Sequence, residues 1–217
     1  GAFSGISATV PRISIRQLEH RVENGSATPP GEPTDSVSPP THVVGIGASA
    51  GGLHALERFF GGLADATGMA FVVIQHLAPD FTSMMPQILS RVTRMPIKSV
   101  DGPEDIARNT VYLLPPGREM IISNSRLLTT ERPAGLNLPV DVFFQSLAAD
   151  QGASAVGIIL SGTGSDGAAG VSRIHGEGGL TVAQTPESAE FDGMPKSAIA
   201  TGAVAMILDP EHMPAAL

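Results

Sequence analysis

The chain has 217 residues, 13 basic and 21 acidic side chains for a net charge of −8, and no cysteine. The length predicts one domain with extensions, or two small domains. The acidic balance argues against a nucleic-acid partner, and the missing cysteine excludes disulfides, thiolate zinc sites and a cysteine nucleophile. With 42% hydrophobic residues and no apolar run of about 20 residues, the composition predicts a globular protein without membrane insertion.

The first forty residues predict a flexible extension and linker. In residues 24–40, NGSATPPGEPTDSVSPP, 12 of 17 positions are Pro, Gly, Ser or Thr, and such a segment buries too little apolar surface to fold. Ile15, Leu18 and Val22 have helical spacing, but a helix of this length is unstable alone. We therefore expect a flexible segment over residues 1–40 and one folded domain over residues 41–217.

From residue 41 onward, short buried-type strands alternate with amphipathic helical segments, such as the one that carries Leu53, Leu56 and Phe60. This alternation predicts an α/β fold: a doubly wound, mostly parallel sheet with helices on both faces and ligands at the carboxyl ends of the strands. Residues 120–129, with Asn124-Ser125 at their centre, predict an antiparallel hairpin at an edge. The predicted strands are residues 42–46, 70–75, 110–114, 155–160 and 180–184, and further helical segments cover residues 84–92 and 140–147.

The first predicted strand runs into a glycine-rich turn, GIGASAGG at residues 45–52, which has three interpretations. As GxGxxA it matches a dinucleotide fingerprint, but that motif expects an acidic residue at the end of the second strand, where this chain has Gln75 and His76. As GxSxG it presents Ser49 between a strand and a helix, beside backbone N–H groups that can hold an oxyanion. Alternatively, Ser49 caps the helix that follows.

A serine nucleophile needs a base and a group that orients the base. Of the six histidines, His76 is the one that ends a predicted strand. Asp166 lies in the turn SGTGSDG after the strand at residues 155–160, where it either caps the next helix or orients His76. These strand ends predict a triad of Ser49, His76 and Asp166, in a site that needs neither metal nor cofactor.

Four motifs follow one another along most of the predicted domain. They are VVGIGASAGG at residues 43–52, VIQHL at 73–77, LSGTGSDGAAG at 160–170 and FDGMP at 191–195. In this order they resemble CheB, the chemotaxis protein-glutamate methylesterase family. The resemblance implies a serine hydrolase that removes methyl groups from glutamate esters, and also deamidates glutamines, on the methylated cytoplasmic helices of chemoreceptors.

The resemblance assigns a role to each candidate residue. Ser49 is the nucleophile, His76 the base and Asp166 the orienting acid. Ala50 follows the nucleophile, where many members have threonine, and its N–H is the expected oxyanion donor. Thr163 stands where receiver-linked members commonly have methionine, and it is expected at the substrate-binding site.

The resemblance also has implications for the neighbouring domains on the same polypeptide. The forty residues before the motifs are too short for the family's receiver domain, and the arrangement is similar to hybrid members in which a methyltransferase domain follows on the same polypeptide. A cytoplasmic location is implied. The alternative hypothesis is a catalytically silent module that docks on receptors or regulates a larger signalling protein.

Overall fold

The computed structural model describes residues 39–75, 84–133, 135 and 138–217. The predicted helix around Ile15 and most of the predicted linker lie outside these residues. The described residues belong to one compact unit. Its strands are β1 (Val43–Ala48), β2 (Ala70–Gln75), β3 (Ile97–Ser99), β4 (Glu104–Asp105), β5 (Thr110–Leu113), β6 (Arg118–Ser123), β7 (Arg126–Glu131), β8 (Ala155–Ile159), β9 (Leu180–Gln184) and β10 (Met206–Leu208).

Seven of these strands form a parallel sheet in the order β10-β9-β8-β1-β2-β5-β3. The strand β1 lies at its centre, with Gly47 opposite Ile74 of β2 and Ile159 of β8. The chain builds outward from β1 in one direction through β2 and β5, and in the other through β8, β9 and β10. The order therefore reverses between β1 and β8, which is where open α/β sheets place their ligands.

Helices cover both faces of this sheet. On one face, Leu56 and Phe60 pack into a fully buried cluster with Ile46 of β1. On the other, Phe143 and Phe144 pack with the opposite side of the strands. The helices are α1 (Gly52–Gly61), α2 (Met85–Leu89), α3 (Pro139–Gln151), α4 (Ala168–Gly176) and α5 (Gly193–Ala200), and shorter 3-10 turns cover Gly152–Ser154, Pro186–Ser188 and Pro210–Ala216.

The predicted hairpin is confirmed as β6 and β7, joined at Asn124 and Ser125. Both turn residues have a positive φ, 52° and 58°, as a two-residue hairpin turn requires. The hairpin pairs with β4 in a separate three-stranded sheet instead of extending the edge of the parallel one. Helix α3 fastens this small sheet, because the Ser146 hydroxyl accepts a hydrogen bond from the Ile122 N–H at 3.1 Å.

The predicted doubly wound architecture is thus confirmed, with differences at the element ends. Strand β1 continues two residues beyond its predicted end, to Ala48, and α3 extends from Pro139 to Gln151. The short strands β3, β4 and β10 were not predicted, because two or three residues show no usable period. The eight-residue helix α5 was not predicted either. No helix within the described ranges is both long enough and apolar enough to cross a membrane.

Candidate active site

Ser49 directly follows β1, in the turn that leads into α1. Its N–H donates to the Ser161 carbonyl oxygen at 3.0 Å, and its own carbonyl oxygen accepts from the Gly52 N–H at 3.0 Å. The residue is half-buried. These two bonds fix the backbone of Ser49 between the start of α1 and the loop after β8, at the carboxyl end of the sheet.

The interpretation of Ser49 as a helix cap is wrong. Helix α1 begins at Gly52 with Gly51 as its N-cap, and no side chain caps this end. Among the residues that the structure describes, none forms a hydrogen bond with the Ser49 hydroxyl. The hydroxyl is therefore not committed to the helix.

The structure also explains the glycine that suggested a dinucleotide fingerprint. A Cβ on Gly47 would lie 2.4 Å from Cγ1 of Val140, so this glycine allows α3 to approach β1 closely. Strand β2 ends at Gln75, opposite Ala48, and the carboxylate that a bound ribose would need is not at that position. The geometry of the turn favours the GxSxG interpretation.

Two other motifs surround Ser49. A Cβ on Gly162 would lie 2.9 Å from Cβ of Ser49, so the loop after β8 is in contact with the serine. This loop is held in turn by the fourth motif, since the Gly162 N–H donates to the Phe191 carbonyl at 2.9 Å and the Met194 N–H donates to the Gly162 carbonyl at 2.8 Å. Three of the four motifs therefore form one surface.

The two residues expected to bind an oxyanion or substrate have available N–H groups. Ala50 lies in the turn after Ser49, and its carbonyl accepts from the Ser161 hydroxyl at 2.9 Å. Thr163 is exposed in the loop after β8. Within the described ranges, neither backbone N–H has a hydrogen-bond partner. Unpaired N–H groups beside a serine hydroxyl are what an oxyanion site requires.

Asp166 is buried, with 3% of its surface exposed. Its Oδ2 accepts from the Val140 N–H and its Oδ1 from the Asp141 N–H, both at 2.9 Å. The N-cap of the following helix α4 is Gly167, and no side chain caps that helix. The alternative interpretation of Asp166 as a cap of its own helix is therefore wrong: its carboxylate binds the N-terminus of α3, behind the carboxyl end of β8.

Asp141 is a buried carboxylate that sequence analysis missed. Its Oδ1 accepts from the Gly170 N–H of α4 at 2.7 Å. Burial raises the pKa of Asp141 to about 6, the negative charge of Asp166 adds to the rise, and hydrogen bonds from backbone N–H groups of α4 oppose it. An acidic residue in the first turn of a predicted helix was a visible signal, but its partners on another helix were not.

The predicted base His76 lies outside the described residues. Its predecessor Gln75 is the last residue of β2 and pairs with Ala48, the last residue of β1. Ser49 and Asp166 follow the neighbouring parallel strands β1 and β8, so the structure brings these two to the same end of the sheet. The triad of Ser49, His76 and Asp166 stays a prediction.

A cavity of about 270 Å³ adjoins the turn that follows Ser49, where Gly51 and Ser161 contribute to its lining. Helix α1 contributes His54 and Arg58, and the segment after β9 contributes Glu190. The lining carries both charges and several hydrogen-bonding groups. The recess therefore offers polar and charged contacts next to the turn that carries Ser49.

A further group of side chains has the spacing of metal ligands. Donor atoms of Asp209, Glu211 and His212 lie within 4.8 Å of one another. The carboxylates already have partners, because Glu211 pairs with Arg58 at 2.6 Å and Asp209 accepts from the Thr185 hydroxyl. None of the predicted site residues belongs to this group.

The fold and the site define an α/β domain with a serine on the turn after its first strand, whose hydroxyl has no partner in the described part of the chain, and a buried carboxylate behind the neighbouring strand. The chain belongs to the CheB methylesterase family, whose model matches residues 44–217. It is 35% identical over 178 residues to protein-glutamate methylesterase/protein-glutamine glutaminase 3 of Hahella chejuensis, and 38% identical over 175 residues to enzyme 1 of that name from Myxococcus xanthus. These matches cover 81% and 78% of the chain and 51% of each relative.

Two further similarities concern the fold and the length of the chain. The crystal structure of the Thermotoga maritima CheB methylesterase catalytic domain superposes with a TM-score of 0.73 at 25% identity, covering 81% of this chain and 96% of that one. An uncharacterized 104.1 kDa protein of Rhodobacter capsulatus is 45% identical over 130 residues, which are 59% of this chain and 14% of that protein. The chain thus spans about half of the methylesterases and a smaller part of the longer protein.

Proposed function

We propose that this domain is a serine hydrolase that demethylates glutamate methyl esters, and deamidates glutamines, on the methylated cytoplasmic helices of chemoreceptors. The observation that carries the proposal is the Ser49 hydroxyl, which, like the Ala50 N–H next to it, has no hydrogen-bond partner among the described residues and lies at the same sheet end as buried Asp166. The names of the relatives, which pair methylesterase with glutaminase, support both reactions.

In the proposed reaction, Ser49 Oγ attacks the ester carbonyl carbon while His76 accepts the hydroxyl proton. The N–H of Ala50, with that of Thr163, stabilises the oxyanion of the tetrahedral intermediate. His76 returns the proton to the departing methanol and leaves an acyl-enzyme. A water molecule activated by His76 then releases the glutamate carboxylate. With a glutamine substrate, ammonia departs instead of methanol.

Asp166 is proposed to hold His76 in the tautomer that accepts the serine proton. Both of its oxygens already accept backbone N–H groups of α3, so its position does not depend on the substrate. A carboxylate oxygen has room for more than one donor, and these bonds are compatible with a further bond to an imidazole.

Substrate choice is proposed to depend on the protein surface around the target glutamate. Methanol is a small leaving group, so the site needs no large alcohol pocket, and the polar recess beside Gly51 is consistent with contacts to a helical protein substrate. Phe191, which is 40% exposed next to the Gly162 loop, offers an apolar contact at the same rim.

We further propose that the domain works in the cytoplasm as part of a longer polypeptide with a methyltransferase domain. The relative from Rhodobacter capsulatus supports the longer polypeptide, because the matched segment is 14% of its length. The proposal of a methyltransferase domain rests on the sequence resemblance to hybrid members of the family.

The decisive experiment is methanol release from methylated receptor membranes, compared between the native protein and Ser49→Ala. We expect the variant to fold and to lose turnover by several orders of magnitude, as serine hydrolases do without their nucleophile. Ser172→Ala, an exposed serine on α4 whose hydroxyl bonds only to the Ala168 carbonyl among the described residues, is the control and should match the native rate.

Two outcomes contradict the proposal. Near-native methanol release by folded Ser49→Ala removes the serine mechanism. Binding of the native protein to the receptor membranes without any methanol or ammonia release favours the silent docking module instead. Mass spectrometry of receptor peptides separates deamidation from demethylation in the same samples.

A further inference from the structure

Two buried carboxylates at the start of α3 and α4 exchange hydrogen bonds across the helix pair. Asp166, just before α4, accepts from N–H groups of α3, while Asp141, in the first turn of α3, accepts from the Gly170 N–H of α4. Each carboxylate therefore satisfies the other helix's free N-terminal donors, which helices otherwise leave unpaired.

From this exchange we infer that Asp141 is a positioning residue for the proposed reaction: it locks α4 to α3 so that the Asp166 carboxylate faces the base. The inference rests on the proposed function. Asp141 does not touch the reacting atoms in this scheme. It acts through Asp166, whose two oxygens accept N–H groups at the start of α3, so a movement of α3 against the loop moves this carboxylate.

The hydrogen bonds of Asp166 and Asp141 hold different parts of the helix pair, so neither carboxylate can replace the other. The bonds to Asp166 fix its side chain against α3, but the backbone of its loop continues directly into α4. The bond from the Gly170 N–H to Asp141 at 2.7 Å fixes that helix. Without it, the buried Gly170 N–H loses its acceptor and the start of α4 can shift relative to α3. A displacement of about 1 Å at a catalytic group can lower a rate about 100-fold.

The environment of Asp141 indicates that its acceptor oxygen, not its negative charge, holds α4 against α3. The charged group that faces it in the described part of the chain is Asp166, a like charge. The other groups that act on it are backbone N–H groups at the start of α4, including those of Gly167 and Ala169. A neutral side chain with an acceptor oxygen at the same place should therefore preserve the lock, whereas a side chain without one should not.

The test measures kcat, KM and the pH profile of kcat/KM for methanol release by folded variants. We expect Asp141→Ala to lower kcat roughly 10- to 100-fold with little change in KM. Asp141→Asn, which keeps an acceptor oxygen, should recover most of that loss. The fall of kcat/KM at acid pH, called the acid limb below, should occur at lower pH in Asp141→Ala. The reason is that a base that loses its carboxylate partner binds its proton less tightly.

Ser146→Ala is the matched control on the same helix. Ser146 is fully buried, accepts from the Ile122 N–H at 3.1 Å and donates to the Phe143 carbonyl at 2.8 Å, away from Asp166. Its loss should lower stability while leaving kcat and the acid limb unchanged. If Asp141→Ala does not fold, Asp141→Glu replaces it, because the longer side chain keeps the charge and displaces the acceptor, and kcat should fall.

The inference is overturned if folded Asp141→Ala, or Asp141→Glu in its place, keeps the native kcat and acid limb, as the control does. If, in that case, the native protein releases methanol and Ser49→Ala does not, the inference fails but the proposed function stands. Absence of turnover in the native protein removes the proposed function and this inference together.

Discussion

Asp141 shows how far a single residue can depart from its ordinary chemistry. Its pKa rises from 3.8 to about 6, chiefly because burial disfavours the charged carboxylate and secondarily because Asp166 repels it. Between these two pH values the folded protein binds a proton at Asp141 that the unfolded chain has released. Stability from this group is therefore present at low pH and lost as the pH rises through about 6.

This linkage predicts a pH-dependent difference between the native protein and Asp141→Asn. An asparagine does not ionise, so the variant should gain roughly 2 to 3 kcal/mol of unfolding free energy relative to the native protein as the pH rises from 4 to 7. Urea unfolding at several pH values measures the difference. Asp101→Asn is the control, since Asp101 is exposed and its carboxylate has no hydrogen-bond partner in the described ranges. A difference for Asp141→Asn that does not change with pH contradicts the prediction.

At the scale of elements, helix α1 has two glycines at each end, and Gly51 and Gly61 have contrasting surroundings. Gly51 precedes the helix with φ +70°, and a Cβ there would lie 2.7 Å from both Ser161 Oγ and Glu190 Cβ. Gly61 is the last helical residue, and a Cβ there would meet no atom within 4 Å. Gly51 therefore shapes the turn that carries Ser49, whereas the position of Gly61 has room for a side chain.

We therefore predict opposite effects for the two substitutions by alanine. Gly51→Ala should lower stability by about 2 kcal/mol or more, because a non-glycine residue is strained in this conformation and its Cβ displaces the neighbouring loop. It should also reduce methanol release. Gly61→Ala should raise stability by up to about 1 kcal/mol, because alanine loses less backbone entropy in a helix. Thermal unfolding measures both, and equal shifts would contradict this account of the turn.

The elements also differ in how well they could be predicted. The buried strands β1, β2, β8 and β9 were recognised, because apolar β-branched runs between helical segments mark a parallel sheet. The strand β10 was not, because its three residues have no pattern of their own. The chain just before it is placed by tertiary bonds instead: the Thr181 hydroxyl donates to the Ala203 carbonyl at 2.6 Å and accepts from the Ala205 N–H at 3.0 Å.

For the molecule as a whole, the boundary of the folded domain is open to a direct test. In the described part of the chain, Thr41 makes the first hydrogen bond to a distant residue, donating its N–H to the Gly68 carbonyl at 2.9 Å, and Val43 and Val44 behind it are fully buried. Deleting residues 1–40 should change Tm by less than about 2 °C, since a segment whose composition predicts no core contributes little, and should leave methanol release unchanged.

Deleting residues 1–44 provides the contrasting variant. It removes two buried valines from the central strand, with a cost of about 3 kcal/mol or more, together with the Thr41 bond. We expect a large drop in Tm or failure to fold. A similar drop for the shorter deletion would show that residues 1–40 dock on the domain, through the apolar positions Ile15, Leu18 and Val22.

The sequence by itself determined the alternation of strands and helices and the places of Ser49 and Asp166 at strand ends, because hydrophobic periodicity and glycine-rich turns are local signals. Only the tertiary structure decided what those residues do there. A cap for its own helix was one of two interpretations of Asp166, yet the residue binds a helix that begins 27 residues earlier in the chain. The partners of a buried carboxylate depend on how two helices pack, and no local pattern encodes that contact.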